Sequence, residues 1–149
     1  MQLLTNHVKT VVCAAMVAAG AADVTTAAVI DTQGYDAVRF IFVFGAIVAG
    51  AVTSTGVAGK ATNNPVPGTD DLAGSKQVVA DTDDGTIKIT DITHPQQRYL
   101  RPFVKRATQN AEVAAIICEL YRHSGKLPVT QDATVTGVET FDAPAVGVA

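Results

Sequence analysis

The sequence predicts an all-β fold, an antiparallel β-sandwich or barrel, on three observations. Short runs rich in Val, Ile, Thr and Phe recur along the chain. Clusters of Gly, Pro, Asn and Asp separate them. No segment reads more convincingly as a helix than as a strand. With 149 residues the chain is one domain by size, large enough for a true core. Hydrophobic residues are 48% and charged residues 17%, which excludes disorder by composition. Aromatics are 5% and Trp is absent, so the core is expected from Ala, Val, Ile and Leu.

The elements follow in order. Residues 1–30 are Ala/Val/Thr-rich, with strand character over 25–30. Asp31-Thr-Gln-Gly34-Tyr-Asp36 is a turn cluster leading into the apolar run 37–45. Gly45 and Gly50 mark a bulge or a bend into a further strand, 46–53. Asn63-Asn64-Pro65-Val66-Pro67-Gly68 is a surface loop, since proline removes ladder donors and restricts the residue before it. Asp84-Gly85 tolerates positive φ and reads as a hairpin-type turn. Residues 86–90 alternate, with Ile87 and Ile89 on one face and Thr86, Lys88 and Thr90 on the other. In 98–106, Tyr99, Arg101, Phe103 and Lys105 oppose Leu100, Pro102 and Val104, and Pro102 argues for an edge or a bulge. Residues 112–122 mix helix and strand formers; after a strand and a short turn they read as a hairpin partner.

Membrane and targeting signals are weak. The 13-residue apolar run 40–52 is shorter than the ~20 residues a spanning helix needs. Residues 11–22 have the outline of a signal peptide but lack Leu and Phe, and the segment is expected to be retained.

Motifs of catalysis and ligand binding fail on inspection. Gly56-Val-Ala-Gly59-Lys60-Ala61-Thr62 suggests a phosphate loop, but Ser54 takes the first glycine slot and Ala61 the Mg-binding hydroxyl slot. It is expected to be a plain Gly-rich loop. The acidic run 81–85 suggests a calcium loop, but Ile92 stands where the closing Glu belongs, so it reads as a charged turn. His7, His94 and His123 have no metal-ligand spacing to one another or to Cys13 and Cys118. Two cysteines make no disulfide framework, and Cys118 reads as a small buried hydrophobe. No metal, cofactor or enzyme activity is expected. A net charge of −3 and a pI near 5.4 argue against a nucleic-acid partner. The charge order is more telling. An acidic stretch (Asp70, Asp71, Asp81, Asp83, Asp84, Asp91) precedes Arg98, Arg101, Lys105 and Arg106, as ordinary solvated faces or as complementary surfaces for a partner.

Two segments together resemble one family. Asp31-Thr-Gln-Gly34-Tyr35-Asp36-Ala-Val-Arg-Phe-Ile-Phe-Val-Phe-Gly45-Ala-Ile supplies a Gly-Tyr-Asp turn before an apolar strand ending near Gly. Gln97-Arg98-Tyr99-Leu100-Arg101-Pro102 supplies an Arg-Tyr-hydrophobic-Arg strand some sixty residues later. This pair is similar to the small capsid cement or decoration proteins of tailed bacteriophages, over roughly residues 5–128. The resemblance implies a jelly-roll-like β-sandwich bound in many copies to the outside of an icosahedral head. It implies bridging of major capsid subunits, synthesis in the host cytoplasm, and neither catalysis nor cofactor. The expected organisation is one sandwich domain, 1–128, with an N-terminal arm (1–24), followed by an extended C-terminal arm, 129–149. The partners expected are the major capsid protein and the chain itself, as dimer or trimer, with no direct nucleic acid and no membrane. The residues expected at the interface are Arg98, Arg101, Lys105, Arg106 and Phe141. The alternatives are another virion component (a head-completion or tail protein) and a secreted β-sandwich binding module.

Overall fold

The structure is a computed structural model that describes residues 3–140. After a single helical turn, Leu4–His7, it is built from strands: β1 (Lys9–Ala14), β2 (Val24–Thr25), β3 (Ile30–Asp31), β4 (Tyr35–Phe44), β5 (Thr53–Lys60), β6 (Gln77–Val79), β7 (Ile87–Thr93), β8 (Tyr99–Lys105) and β9 (Val113–His123). One antiparallel sheet runs β1-β9-β4-β7 and the other β2-β8-β5-β6, with β3 also on β8. Taking β2 and β3 as one interrupted strand gives eight strands in two four-stranded sheets. Successive strands alternate between the sheets except at β5–β6, which is the winding of a jelly roll. The sandwich expectation holds.

The alternating residues of β4 explain its place in the middle of its sheet. Val38, Phe40, Phe42 and Phe44 point inward and are essentially inaccessible to solvent. They meet Val11, Cys13, Ile116, Cys118 and Leu120 from their own sheet and Val24, Ile30, Val57, Val79, Leu100 and Val104 from the other. The core is therefore centred on phenylalanines from one strand, not on aliphatics alone. Three of the five Phe residues suffice, because each ring buries far more area than a Val.

Several local expectations are corrected. The strand expected over 25–30 is broken into β2 and β3. Opposite the break lies Pro102, which has no N–H to donate, and the Thr26 hydroxyl bonds to its carbonyl at 3.0 Å instead. Residues 46–52 form no strand. Their backbone pairs with other loops: Val48 N–H with the Gln109 carbonyl, Ala51 N–H with Thr108 Oγ1, and Ile47 N–H with Asp84 Oδ1. The expected Gly-rich loop is mostly β5. Gly56 lies under the Phe103 ring, where a Cβ would come within 2.4 Å of Cζ, so glycine marks close packing and not a phosphate cradle. Pro102 sits in a central strand beside that break, not at an edge. Asp84-Gly85, with Gly85 at φ +64°, carries the chain from one sheet to the other and closes no hairpin. Residues 113–123 are a strand, but β9 pairs with β1 and β4 and is no hairpin partner of β8.

Within the stretch expected as an N-terminal arm, β1 takes the outer position of the first sheet, beside β9. Residues 129–140 run back beside it without regular structure. The Gln131 side chain accepts from Thr10 N–H and donates to the carbonyls of Thr5 and Val8, and Thr134 Oγ1 accepts from Val12 N–H. Side chains thereby close the free ladder of β1, one way of blunting an exposed edge.

Candidate interaction surfaces

The two segments that carry the family resemblance meet in space. Asp31 and Arg98, 67 residues apart, form a two-pronged ion pair, Nε to Oδ1 at 2.9 Å and Nη2 to Oδ2 at 2.7 Å. Beside it Thr32, 5% exposed, gives both its N–H and its hydroxyl to the Arg98 carbonyl. The Arg98 bond holds the Asp31 carboxyl below its usual range. Gly34 then turns at φ +86°, and its carbonyl accepts from Ser124 N–H at 3.0 Å. The Tyr35 ring lies 4.7 Å from the His123 ring. The Gly-Tyr-Asp turn and the Arg-Tyr-Leu-Arg strand thus form one clasp at the end of the sandwich.

The basic residues expected at an interface are placed differently from one another. Tyr99, Arg101, Phe103 and Lys105 do share the outer face of the second sheet, as their alternation predicts. Lys105 sits 5.4 Å over the Phe103 ring and 3.5 Å from Asp71. Arg98 is engaged in the clasp. Arg106 is a brace: its guanidinium donates to the carbonyls of Ala18, Ala22 and Ala111. Arg101 is half-buried, and its Nε has no hydrogen-bond partner among the described residues. Phe141 lies outside the described residues. This face is also partly screened. Residues 68–71 reach Lys105, and Phe103, although outward, is only 4% exposed.

Sequence reasoning missed the opposite surface, the outer face of the first sheet. The registers place its residues in rows across β1, β9, β4 and β7. One row reads Thr10, Glu119, Arg39, Asp91; the next reads Val12, Ile117, Ile41, Ile89. Beyond them lie Ala115, Val43 and Ile87 on one side and Tyr121, Ala37 and Thr93 on the other. Val12, Ile87 and Ile89 are 37%, 52% and 42% exposed. Arg39 is ion-paired with Glu119, which raises the Arg39 pKa, and Tyr121 donates to Asp91. The alternation of Ile87 and Ile89 was legible; that their shared face is the solvent face was not. A groove of about 330 Å³ borders Glu119 and Thr10, walled by Leu4, Val8 and Val135.

Among the described residues no cluster of three or more His, Cys, Asp or Glu could hold a metal ion. The acidic turn is internally engaged: Asp83 accepts from Ala80 N–H and pairs with Lys88 at 2.7 Å, and Asp84 accepts from Ile47 N–H. Cys13 and Cys118 are both buried free thiols, and burial pushes the Cys118 thiol well up, as expected of a packed hydrophobe and not of a nucleophile. The described chain has no helix long and apolar enough to cross a membrane.

A jelly-roll sandwich whose distinctive features are surfaces is the class that fold and site define. No protein-family model and no curated protein matches the chain. Among solved structures, the coat protein of Tobacco streak virus is similar at 11% identity, covering 93% of this chain and 100% of that chain with a TM-score of 0.39. The assignment of the fold rests on the strand order itself.

Proposed function

We propose that the chain is a virion structural protein, a cement or decoration protein that binds the outside of an icosahedral phage head and bridges major capsid subunits. Jelly rolls serve many functions, so the fold alone does not select this one. The observation that carries the reading is the clasp. The two motifs of the family resemblance are not scattered words; Asp31, Thr32 and Arg98 join them into one unit. Shell contact is assigned to the outer face of the second sheet, through Arg101 and Lys105 with Arg98 at its margin, and to the C-terminal segment including Phe141. Arg106 supports this face from behind by fixing residues 18–23. Individual contacts of this kind are weak, and repetition on a fixed lattice makes them sufficient.

The test is addition of purified protein to undecorated heads, with the bound ratio measured by quantitative gel. Saturation at a fixed ratio to the shell subunit, in hundreds of copies per head, is expected. Binding is expected to weaken in Arg101→Glu while the fold persists. No binding to heads overturns the proposal, and a few copies per particle points to a head-completion or tail role.

A further inference from the structure

We propose that the outer face of the first sheet is a self-complementary interface, through which two copies of this chain pair about a twofold axis. Three observations lead there, and none of them depends on the shell reading.

The first is a continuous apolar row, exposed at Val12 and Ile89 and half-buried at Ile117 and Ile41 between them. Val12, Ile117, Ile41 and Ile89 are cross-strand neighbours spanning all four strands, and Val43 and Ile87 extend the patch. Solvent-facing positions of a one-sided sheet are ordinarily polar, as Thr10, Asp91 and Thr93 are here. A row of β-branched aliphatics across the whole width marks a face meant to be covered.

The second is the charge pattern, which selects the partner. Consider a second copy laid face to face, with the twofold axis running along the strands between β9 and β4. That operation keeps each row in place and exchanges columns, so β9 lies over the partner's β4 and β1 over its β7. Glu119 then faces the partner's Arg39, and Arg39 the partner's Glu119. The four charges close into an alternating ring. Thr10 meets the partner's Asp91. In the aliphatic row Ile117 meets the partner's Ile41, and Val12 its Ile89. Sizes also match at the other end of the patch, where Val43 falls over the partner's Ala115. A heterologous partner has no reason to be matched by a pattern that complements itself. The Glu119 side chain keeps 18% of its surface exposed and borders a groove whose far wall is the chain's own segment 135–139.

The third is size. Four strands about 4.8 Å apart and four rows about 6.8 Å apart give a footprint of roughly 450 Å² per copy. The pair buries on the order of 1,000 Å² in all, near the lower bound for a specific interface, so a dimer of micromolar strength is expected. Two sheets that pack face to face keep their mean strand directions within about 30° of each other, which a twofold axis along the strands permits.

The experiment is sedimentation equilibrium of the full chain between about 1 and 100 μM. The wild-type chain is expected to be a dimer at the upper end. Arg39→Glu and Glu119→Arg each place two like-charge contacts in the interface, and each is expected to raise the dissociation constant at least about tenfold. The decisive sample is their equimolar mixture. A heterodimer restores both cross-interface pairs, although within each chain the Arg39–Glu119 pair stays broken. Recovery of dimerisation in the mixture therefore reports contact between copies and not repair of the monomer. Ile89→Lys, at an exposed position away from the core, is expected to give a folded monomer by circular dichroism. A wild-type chain that stays monomeric at 100 μM overturns the proposal. So does a trimer, or a mixture no more associated than its parts while both variants are folded. If a monomeric wild type binds heads and Ile89→Lys does not, the face belongs to the shell and the dimer is wrong, with the shell reading intact.

Discussion

Gln109 offers the sharpest test of how the sandwich is held together. It is 1% exposed, in the turn between the two sheets, and its amide makes three bonds. Oε1 accepts from Thr53 N–H at 2.8 Å; Nε2 donates to the Val79 carbonyl at 3.2 Å and to Asp81. It therefore joins the start of β5 to the end of β6. Thr53 and Val79 are fully buried, so in Gln109→Ala neither backbone group finds water in its place. Each orphaned group costs about 1–3 kcal/mol, and the vacated volume adds to that, giving a loss of about 3 kcal/mol or more. For a domain of this length, that is a fall in melting temperature of about 10 °C. Urea unfolding followed by circular dichroism measures it. Gln109→Glu keeps the acceptor for Thr53 but sets a carboxylate against Asp81, so it is expected to be destabilised as well, and less so at low pH. A Gln109→Ala protein within about 1 kcal/mol of wild type would refute the argument that this amide staples the two strands.

Three further outcomes are expected. Thr55 is fully buried and its hydroxyl has no partner among the described residues, so Thr55→Val, of nearly equal shape, is expected to stabilise by about 1 kcal/mol in the same urea assay; a loss instead means that the hydroxyl is bonded. Cys13 and Cys118 are expected to resist a thiol-specific disulfide reagent in the folded protein and to react together on unfolding, and rapid labelling of either in the native state contradicts their burial. The Arg98 bond lowers the Asp31 pKa on folding, so it contributes stability that is present above the unfolded value near ~3.9 and is lost as pH falls through the folded value. Arg98→Gln is expected to lower the melting temperature at neutral pH, by a small amount because both side chains are nearly half exposed, and to converge with wild type as the pH falls below about 4, so that its acid limb is flatter by the same amount. Identical acid limbs would show that the clasp is not coupled to folding.

The strands most visible in the sequence were those whose alternation is strict. In β8 the partition of Tyr99, Arg101, Phe103 and Lys105 from Leu100, Pro102 and Val104 is the one found. Alternation assigns residues to two faces without saying which is inside. For β7 the aliphatic pair Ile87 and Ile89 would be placed inward by hydrophobicity, yet the strand buries Thr90 and half-buries Ile92. The partners of β9 were hidden for a different reason. Jelly-roll pairing joins segments distant in sequence, and a short turn between β8 and β9 looks the same whether it closes a hairpin or crosses the sandwich. Glycine misled most in β5: Gly56 and Gly59 suggest a loop until the Phe103 ring and the Leu72 and Leu100 side chains occupy the space a Cβ would need. Gln109 gave no signal, because a polar residue in a turn is ordinarily solvated.

The shell and dimer proposals constrain each other. Pairing through the first sheet puts the two second sheets on opposite outer sides of the dimer, so their Arg101 and Lys105 faces point away from each other. A dimer cannot lay both of these faces on one smooth surface. If both proposals hold, the dimer lies against the head with its basic faces directed sideways, toward the walls of two different neighbouring subunits, and a bridging geometry follows from the symmetry alone. Lys60 and Lys105 stand on that outer face, at opposite ends of the β5–β8 pairing. Amine-reactive crosslinking of decorated heads is then expected to join these lysines to shell subunits from both copies of a dimer in equal yield. Crosslinks from only one copy would mean that one copy's face lies flat on the shell while its partner's points outward, so that the twofold pairing gives no bridge between neighbouring subunits.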